Sequence, residues 1–121
     1  MKILVIDDQP MILKTLHHRL EKAGFDIAAA IDGKQAMSLF DAEKPDLVIV
    51  DLLLPFAGGF EVLNFIREQR QSQVPVIVLS TIGLEKTIVE AFALGADDYI
   101  TKPFRPSEIV ARVKRKFGIK D

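Results

Sequence analysis

Leu47-Val48-Ile49-Val50 is an unbroken apolar run, rich in β-branched side chains, with Pro45-Asp46 before it and Asp51 directly after it. An apolar run without alternation suits a strand covered on both faces, as in the interior of a parallel sheet. A parallel sheet needs a crossover after each strand, so this stretch predicts a chain of alternating strands and helices. It also places a carboxylate, Asp51, at the carboxyl end of a buried strand, the end at which open α/β sheets bind ligands. Asp7-Asp8 end a second buried run, Ile3–Ile6, in the same way.

The rest of the chain supplies the predicted alternation. Lys2–Ile6 reads as the first strand, and Pro10 opens a helix to about Lys22 with Leu13, Leu16, Leu20 and Ala23 at core spacing and Gly24 as its stop. Met11, Ile12 and Thr15 form a stripe beside the Asp7/Asp8 end. They are expected to lie outside the core if the leucines fill it. His17 and His18 are adjacent, so on a helix they point about 100° apart and cannot chelate one ion together. Phe25–Ile31 reads as a strand despite Ala28-Ala29-Ala30, because Gly24 and Asp32-Gly33 bracket it. A helix follows from about Lys34 to Ala42, with Ala36, Met37 and Phe40 inward.

After the Asp46–Asp51 strand come a Pro55–Gly59 loop and a helix of about Phe60–Arg70 with Leu63 and Ile66 in the core. Pro75–Leu79 is a fourth buried run, ending in Ser80-Thr81. The helix of about Glu85–Leu94 is expected to bury Ile88, Ala91 and Phe92 and to stop at Gly95. Tyr99–Thr101 is a short fifth strand ending at Lys102-Pro103, and the last helix, about Ser107–Phe117, takes Ser107 as its N-cap with Ile109, Val110 and Val113 inward. Five alternations predict an α/β fold, a doubly wound five-stranded parallel sheet.

The length of 121 residues suits one domain, residues 1–121, with no internal linker or repeat. A formal net charge of −1 gives no reason to expect nucleic acid or an anionic membrane as a partner. The basic residues Arg112, Lys114, Arg115 and Lys116 alternate with apolar ones and suit the carboxyl end of a helix. With no cysteine, disulfides, thiol catalysis and thiolate metal sites are excluded. Every long apolar run is cut by charge, so neither a leader nor a membrane span is expected, and the cytoplasm is the natural compartment.

Asp7, Asp8, Asp51, Ser80-Thr81 and Lys102 all collect at strand ends. Three carboxylates about 5 Å apart at an effective dielectric near 20 repel by roughly 3 kcal/mol per pair. Something must offset that, and carboxylate oxygens around a small cavity suit Mg²⁺. A lysine and a hydroxyl beside the ion supply what phosphoryl oxygens need. Lys102 must turn back sharply toward Asp51, which predicts a cis peptide before Pro103.

Asp7-Asp8, Asp51, Ser80 and Lys102-Pro103 together resemble the receiver domain of two-component response regulators, over the whole chain. The resemblance implies a (βα)5 flavodoxin-like fold with strand order 2-1-3-4-5. It implies that Asp51 accepts a phosphoryl group from the phosphohistidine of a sensor histidine kinase or a histidine phosphotransfer protein. Asp8 and Asp51 would hold Mg²⁺ by side chains, Leu53 by its backbone carbonyl and Asp7 largely through water. Lys102 would pair with phosphoryl oxygens, and Ser80 and Tyr99 would be the switch pair. Gln9, Met11, Ile12 and Thr15, next to the acceptor, are candidates for kinase docking.

The Gly95–Phe104 stretch looks most like receivers attached to winged-helix DNA-binding domains. In that class phosphorylation pairs two receivers through the fourth helix, fifth strand and fifth helix, and one intermolecular salt bridge maps onto Asp98 and Arg112. Two other charge pairs of the class are broken here, since Ile88 faces Glu108 and Ala93 faces Lys114. Gly58 replaces the usual acid before Gly59, and Thr81 replaces a common alanine. Leu53 and Ile82, two residues beyond Asp51 and Ser80, are large and apolar where fast-decaying receivers often carry polar residues. Direct contact of this domain with nucleic acid is not expected. An alternative class, the Mg²⁺-dependent phosphatases of the haloacid-dehalogenase type, needs Asp-x-Asp on its first strand, where this chain has Asp7-Asp8-Gln9. A binding module that ignores phosphorylation would have no use for the full acceptor set.

Overall fold

A computed structural model describes residues 1–120. In chain order the elements are β1 (Lys2–Ile6), α1 (Pro10–Lys22), β2 (Asp26–Ala30), α2 (Gly33–Glu43), β3 (Leu47–Val50), α3 (Gly59–Asn64), a π-helical segment (Phe65–Gln69), β4 (Val76–Ser80), α4 (Glu85–Ala93), β5 (Asp98–Thr101) and α5 (Pro106–Lys116). The strands form one parallel sheet in the order β2-β1-β3-β4-β5. The alternation, the doubly wound sheet and its 2-1-3-4-5 order are as expected from the sequence.

The unbroken apolar runs have the predicted cause. Leu47 and Ile49 face one core with Leu16 and Leu20 of α1 and Ile109 and Val113 of α5. Val48 and Val50 face the other, with Ala36 and Phe40 of α2, Val62 and Leu63 of α3 and Ala91 of α4. Helices thus cover both faces, and the edge left open is the one where the strands end.

Four local expectations differ. Ile12 is half-buried and packs on the core beside Leu13. It precedes Leu16 by four residues, which puts the two about 40° apart on one helix face. Met11 alone turns out, 73% exposed. In α4 the buried face is carried by Ala91, with Leu94 packed against the same core and Ile88 only half-buried, and Phe92 is 45% exposed, because it lies about 100° around the helix from buried Ala91. The helix predicted from Phe60 to Arg70 is α-helical only to Asn64, then widens into the π turn, where Arg70 N–H donates to the Phe65 carbonyl. The last helix starts at Pro106, with Arg105 at the cap position and no side-chain cap. Proline's fixed φ and missing N–H suit the first helical position, so Ser107 falls inside the first turn.

Candidate functional site

The strand ladders run straight into the site. Asp7 N–H donates to Ala30 O (3.1 Å), Asp51 N–H to Ile6 O (3.0 Å) and Lys102 N–H to Ser80 O (2.8 Å), so each residue is placed by the strand beside it. Among the described residues the buried polar or charged ones are Asp7, Asp51 and Ser80, all at this one edge. Every other buried side chain serves packing, which singles this cluster out as the place where burial of charge has a use.

Lys102 Nζ donates to Asp7 Oδ2 at 2.6 Å, to Asp51 Oδ2 at 2.9 Å and to Gln9 Oε1 at 3.3 Å. Each buried carboxylate spends its second oxygen on a backbone N–H two residues on: Asp7 Oδ1 on Gln9 (2.9 Å), Asp51 Oδ1 on Leu53 (3.1 Å). Both are thereby fixed in orientation. Burial pushes the Asp7 carboxyl above the usual range although the Lys102 ammonium pulls the other way. Burial alone would lower the Lys102 ammonium, but its bonds to Asp7 and Asp51 hold it above its ordinary value. The Lys102–Pro103 peptide is cis.

Asp8 is exposed and completes the group: one carboxylate oxygen each from Asp7, Asp8 and Asp51 lie within 4.8 Å of one another. Three carboxylates against one ammonium leave an excess of two negative charges. Hard oxygen donors with one side open to water fit Mg²⁺, which keeps part of its hydration shell.

Ser80 and Tyr99 meet on one residue between them. Ser80 Oγ accepts the Ile82 N–H (3.2 Å), and the Tyr99 hydroxyl donates to the Ile82 carbonyl. The Tyr99 ring packs against the α2–α3–α4 core, and burial raises its phenol above the ordinary value. The sequence reading missed this role of Ile82, since a backbone bridge leaves no mark on side-chain identity.

Of the docking candidates, Gln9 turns toward the site and bonds Lys102, Met11 is exposed, Thr15 is half-buried, and Ile12 belongs to the core. Asp98 and Arg112, mapped to a contact between two chains, pair within one: Arg112 Nη1 lies 2.9 Å from both Asp98 oxygens, and Nη2 lies 3.4 Å from Glu108.

The family model described as "Response regulator receiver domain" matches residues 3–114. The chain belongs to that family. As a receiver it is the signalling domain of a two-component response regulator, a class that works with histidine kinases or phosphotransfer proteins and binds Mg²⁺ at an acidic pocket. This receiver is 43% identical over 113 residues to the alkaline phosphatase synthesis transcriptional regulatory protein PhoP of Bacillus subtilis, covering 93% of this chain and 47% of that one. It is 40% identical over 114 residues to the DNA-binding dual master transcriptional regulator RpaA of Synechocystis, again over 93% and 47%. The receiver thus spans about half the length of the curated relatives it matches. Among solved structures it superposes on the Francisella response regulator 1452 receiver domain with a TM-score of 0.91 at 32% identity, covering 97% and 96% of the two chains. Chemotaxis protein CheY4 of Vibrio cholerae gives 0.88 at 30% identity, over 94% and 96%. Among the described residues no helix is long and apolar enough to cross a membrane.

Proposed function

We propose that residues 1–121 form one receiver unit in which Asp51 is the phosphoacceptor, and that its state is passed to an attached output domain or a partner. What carries this reading is the gathering of Asp7, Asp51 and Ser80 at one sheet edge around Lys102, with no other buried polar side chain among the described residues. An Asp51 oxygen attacks the phosphorus of a phosphohistidine. The P–N bond breaks, its electrons and a proton return the imidazole to neutral, and an aspartyl phosphate forms. Lys102, already bonded to Asp51 Oδ2, is placed to follow the charge onto the phosphoryl oxygens. Asp8, Asp51 and the Leu53 carbonyl are the proposed Mg²⁺ ligands, with Asp7 acting through water. When bound, the ion would neutralise phosphoryl charge.

The same geometry supports a Ser80/Tyr99 switch. A phosphoryl group on Asp51 draws the Ser80 hydroxyl toward it, loosening its bond to Ile82 N–H, while the Tyr99 hydroxyl holds the Ile82 carbonyl with the ring inward. The Tyr99 bond to Ile82 is already made with the ring inward, so what phosphorylation adds is the bond from Ser80 to a phosphoryl oxygen, and the populations shift toward the arrangement that makes it. The test is intact mass after incubation with acetyl phosphate and Mg²⁺. Wild type should gain one phosphoryl mass and Asp51→Asn none. Equal labelling of the two would remove Asp51 as acceptor, and steady turnover of a generic phosphomonoester would favour a hydrolase instead.

A further inference from the structure

The large apolar side chains left in water are unevenly placed. Nine are exposed among the described residues, and five of these, Met11, Ile31, Leu53, Phe56 and Leu84, stand on segments that leave the carboxyl ends of strands. Four successive strands, β1 to β4, each contribute at least one. The sheet edge that holds the polar acceptor cluster therefore also carries most of the exposed large apolar side chains, a bias that points to an interaction site where an even scatter would not.

Phe56 stands out within the group. It is the most exposed of the nine, at 76%. Its φ of 51° and that of Ala57, 91°, lie in the left-handed region, which is costly for residues with a side chain. The loop is held there by α2: Gly33 N–H donates to the Pro55 carbonyl at 3.2 Å, and a Cβ at Gly33 would come within 2.1 Å of the Ala57 carbonyl oxygen. Only glycine fits at that contact. Two residues in costly conformations, clamped by a third, keep an aromatic ring in solvent five residues beyond Asp51. Nothing in the packing of the isolated fold needs the ring there.

We infer that Phe56 is a docking anchor for the protein that delivers the phosphoryl group. The inference rests on the reading of Asp51 as acceptor, and Asp51 also identifies the occupant. It is only 6% exposed, yet the phosphorus must come within bonding reach of its oxygen. Whatever surrounds the phosphoryl group on a protein donor is thereby pressed onto the loops around the pocket, Phe56 among them. A small donor such as acetyl phosphate enters without touching that rim. The two excess negative charges of the pocket disfavour nucleic acid or an anionic membrane on the same surface. A rigid aromatic side chain with few rotamers to lose is the kind of residue that dominates such contacts.

Phe56→Asn removes the ring and suits a left-handed backbone better than phenylalanine does, so the fold is retained. The probe is a histidine-kinase fragment, autophosphorylated on its histidine and chosen because it phosphorylates the wild-type chain. Phe56→Asn should lower kcat/KM for that transfer by about tenfold or more, while labelling by acetyl phosphate stays within about twofold of wild type. Phe56→Tyr should restore transfer. Val89→Asn, an exposed apolar residue on α4, should change neither rate. Unchanged transfer in Phe56→Asn, an equal loss with both donors, or Phe56→Tyr as slow as Phe56→Asn would each overturn the inference. So would a wild-type dimer that Phe56→Asn dissociates, since the occupant would then be a second copy. Failure of wild type to label with acetyl phosphate is a separate result, and it counts against the acceptor reading itself.

Discussion

Lys102 shares one ammonium between Asp7 and Asp51 and leaves Asp8, the third carboxylate, facing water with no cation on it among the contacts of the site. Its repulsion by the other two is screened by solvent on one side and by Lys102 on the other. In the absence of metal, Asp8→Asn should therefore stabilise the fold by only about 1 kcal/mol, below the bare repulsion at this range. Urea melts in EDTA measure it, and equal or lower stability in the mutant would remove the repulsion argument. Adding Mg²⁺ should narrow the gap, because an ion that binds the native state preferentially gains least where a ligand is missing. Signal lifetime depends on how readily water reaches the phosphorus of an aspartyl phosphate. Leu53 is 55% exposed two residues beyond Asp51, the proposed acceptor, and Ile82 is half-buried with its backbone gripped by Ser80 and Tyr99. Neither side chain can orient a water for attack on the phosphorus. Leu53→Asn with Ile82→Glu should speed loss of the phosphorylated mass by about tenfold, less than the 10²–10⁴ of a fully positioned base. Decay no faster than wild type would show that these side chains do not set the lifetime. The gathering of Asp7, Asp8 and Asp51 at one edge was legible residue by residue because a carboxylate ending a buried apolar run is a local pattern. The intrachain partner of Arg112 was not, since an exposed arginine reads the same whether its acid lies in its own chain or in another.

At the scale of elements, sequence patterns located all five strands and five helices but missed how α3 ends. Leu63 and Ile66 keep helical spacing through the π turn, so periodicity carries no trace of it. What the widened turn accompanies is Arg67. Its guanidinium donates to the carbonyls of Ser72 (2.8 Å), Val74 (2.7 Å) and Gly95 (2.9 Å) and to Asp97 (2.9 Å), tying the end of α3 to the start of β4 and the α4–β5 turn. Gly95 sits at φ 109°, and a Cβ there would come 2.9 Å from Arg67 Nε, so the turn is shaped around the guanidinium. A basic residue in a helix gives no sequence sign of such a role, because most are solvated. Arg67→Met keeps the apolar stem but leaves those carbonyls without their charged donor, which should cost about 3 kcal/mol in a urea melt. A loss below about 1 kcal/mol would mean that water replaces the guanidinium.

For the whole molecule the proposed phosphorylation of Asp51 would be read out through α4, β5 and α5. The winged-helix class pairs two receivers there through charge, but this chain places Ile88 and Ala93 where that class has a base and an acid. It also closes Asp98 onto Arg112 within one chain. Pairing would have to reopen that bond and rely on apolar contact through Ile88 and Phe92. The activated chain should consequently dimerise weakly, and restoring the charges should strengthen it. Across a two-fold axis each interchain pair occurs twice. Ile88→Arg against Glu108 and Ala93→Glu against Lys114 therefore add four exposed ion pairs, together on the order of 1–4 kcal/mol. That corresponds to about a five- to thousandfold lower Kd. Sedimentation with beryllofluoride and Mg²⁺, which mimic the acyl phosphate, should show the double variant dimeric at concentrations where wild type is monomeric. Raising salt should erase most of the difference, because exposed pairs are screened. If the activated wild type instead dimerises as tightly as the double variant and salt leaves it unchanged, the apolar face of α4 drives pairing, and the missing charges are a mark of a different interface and not of a lost one.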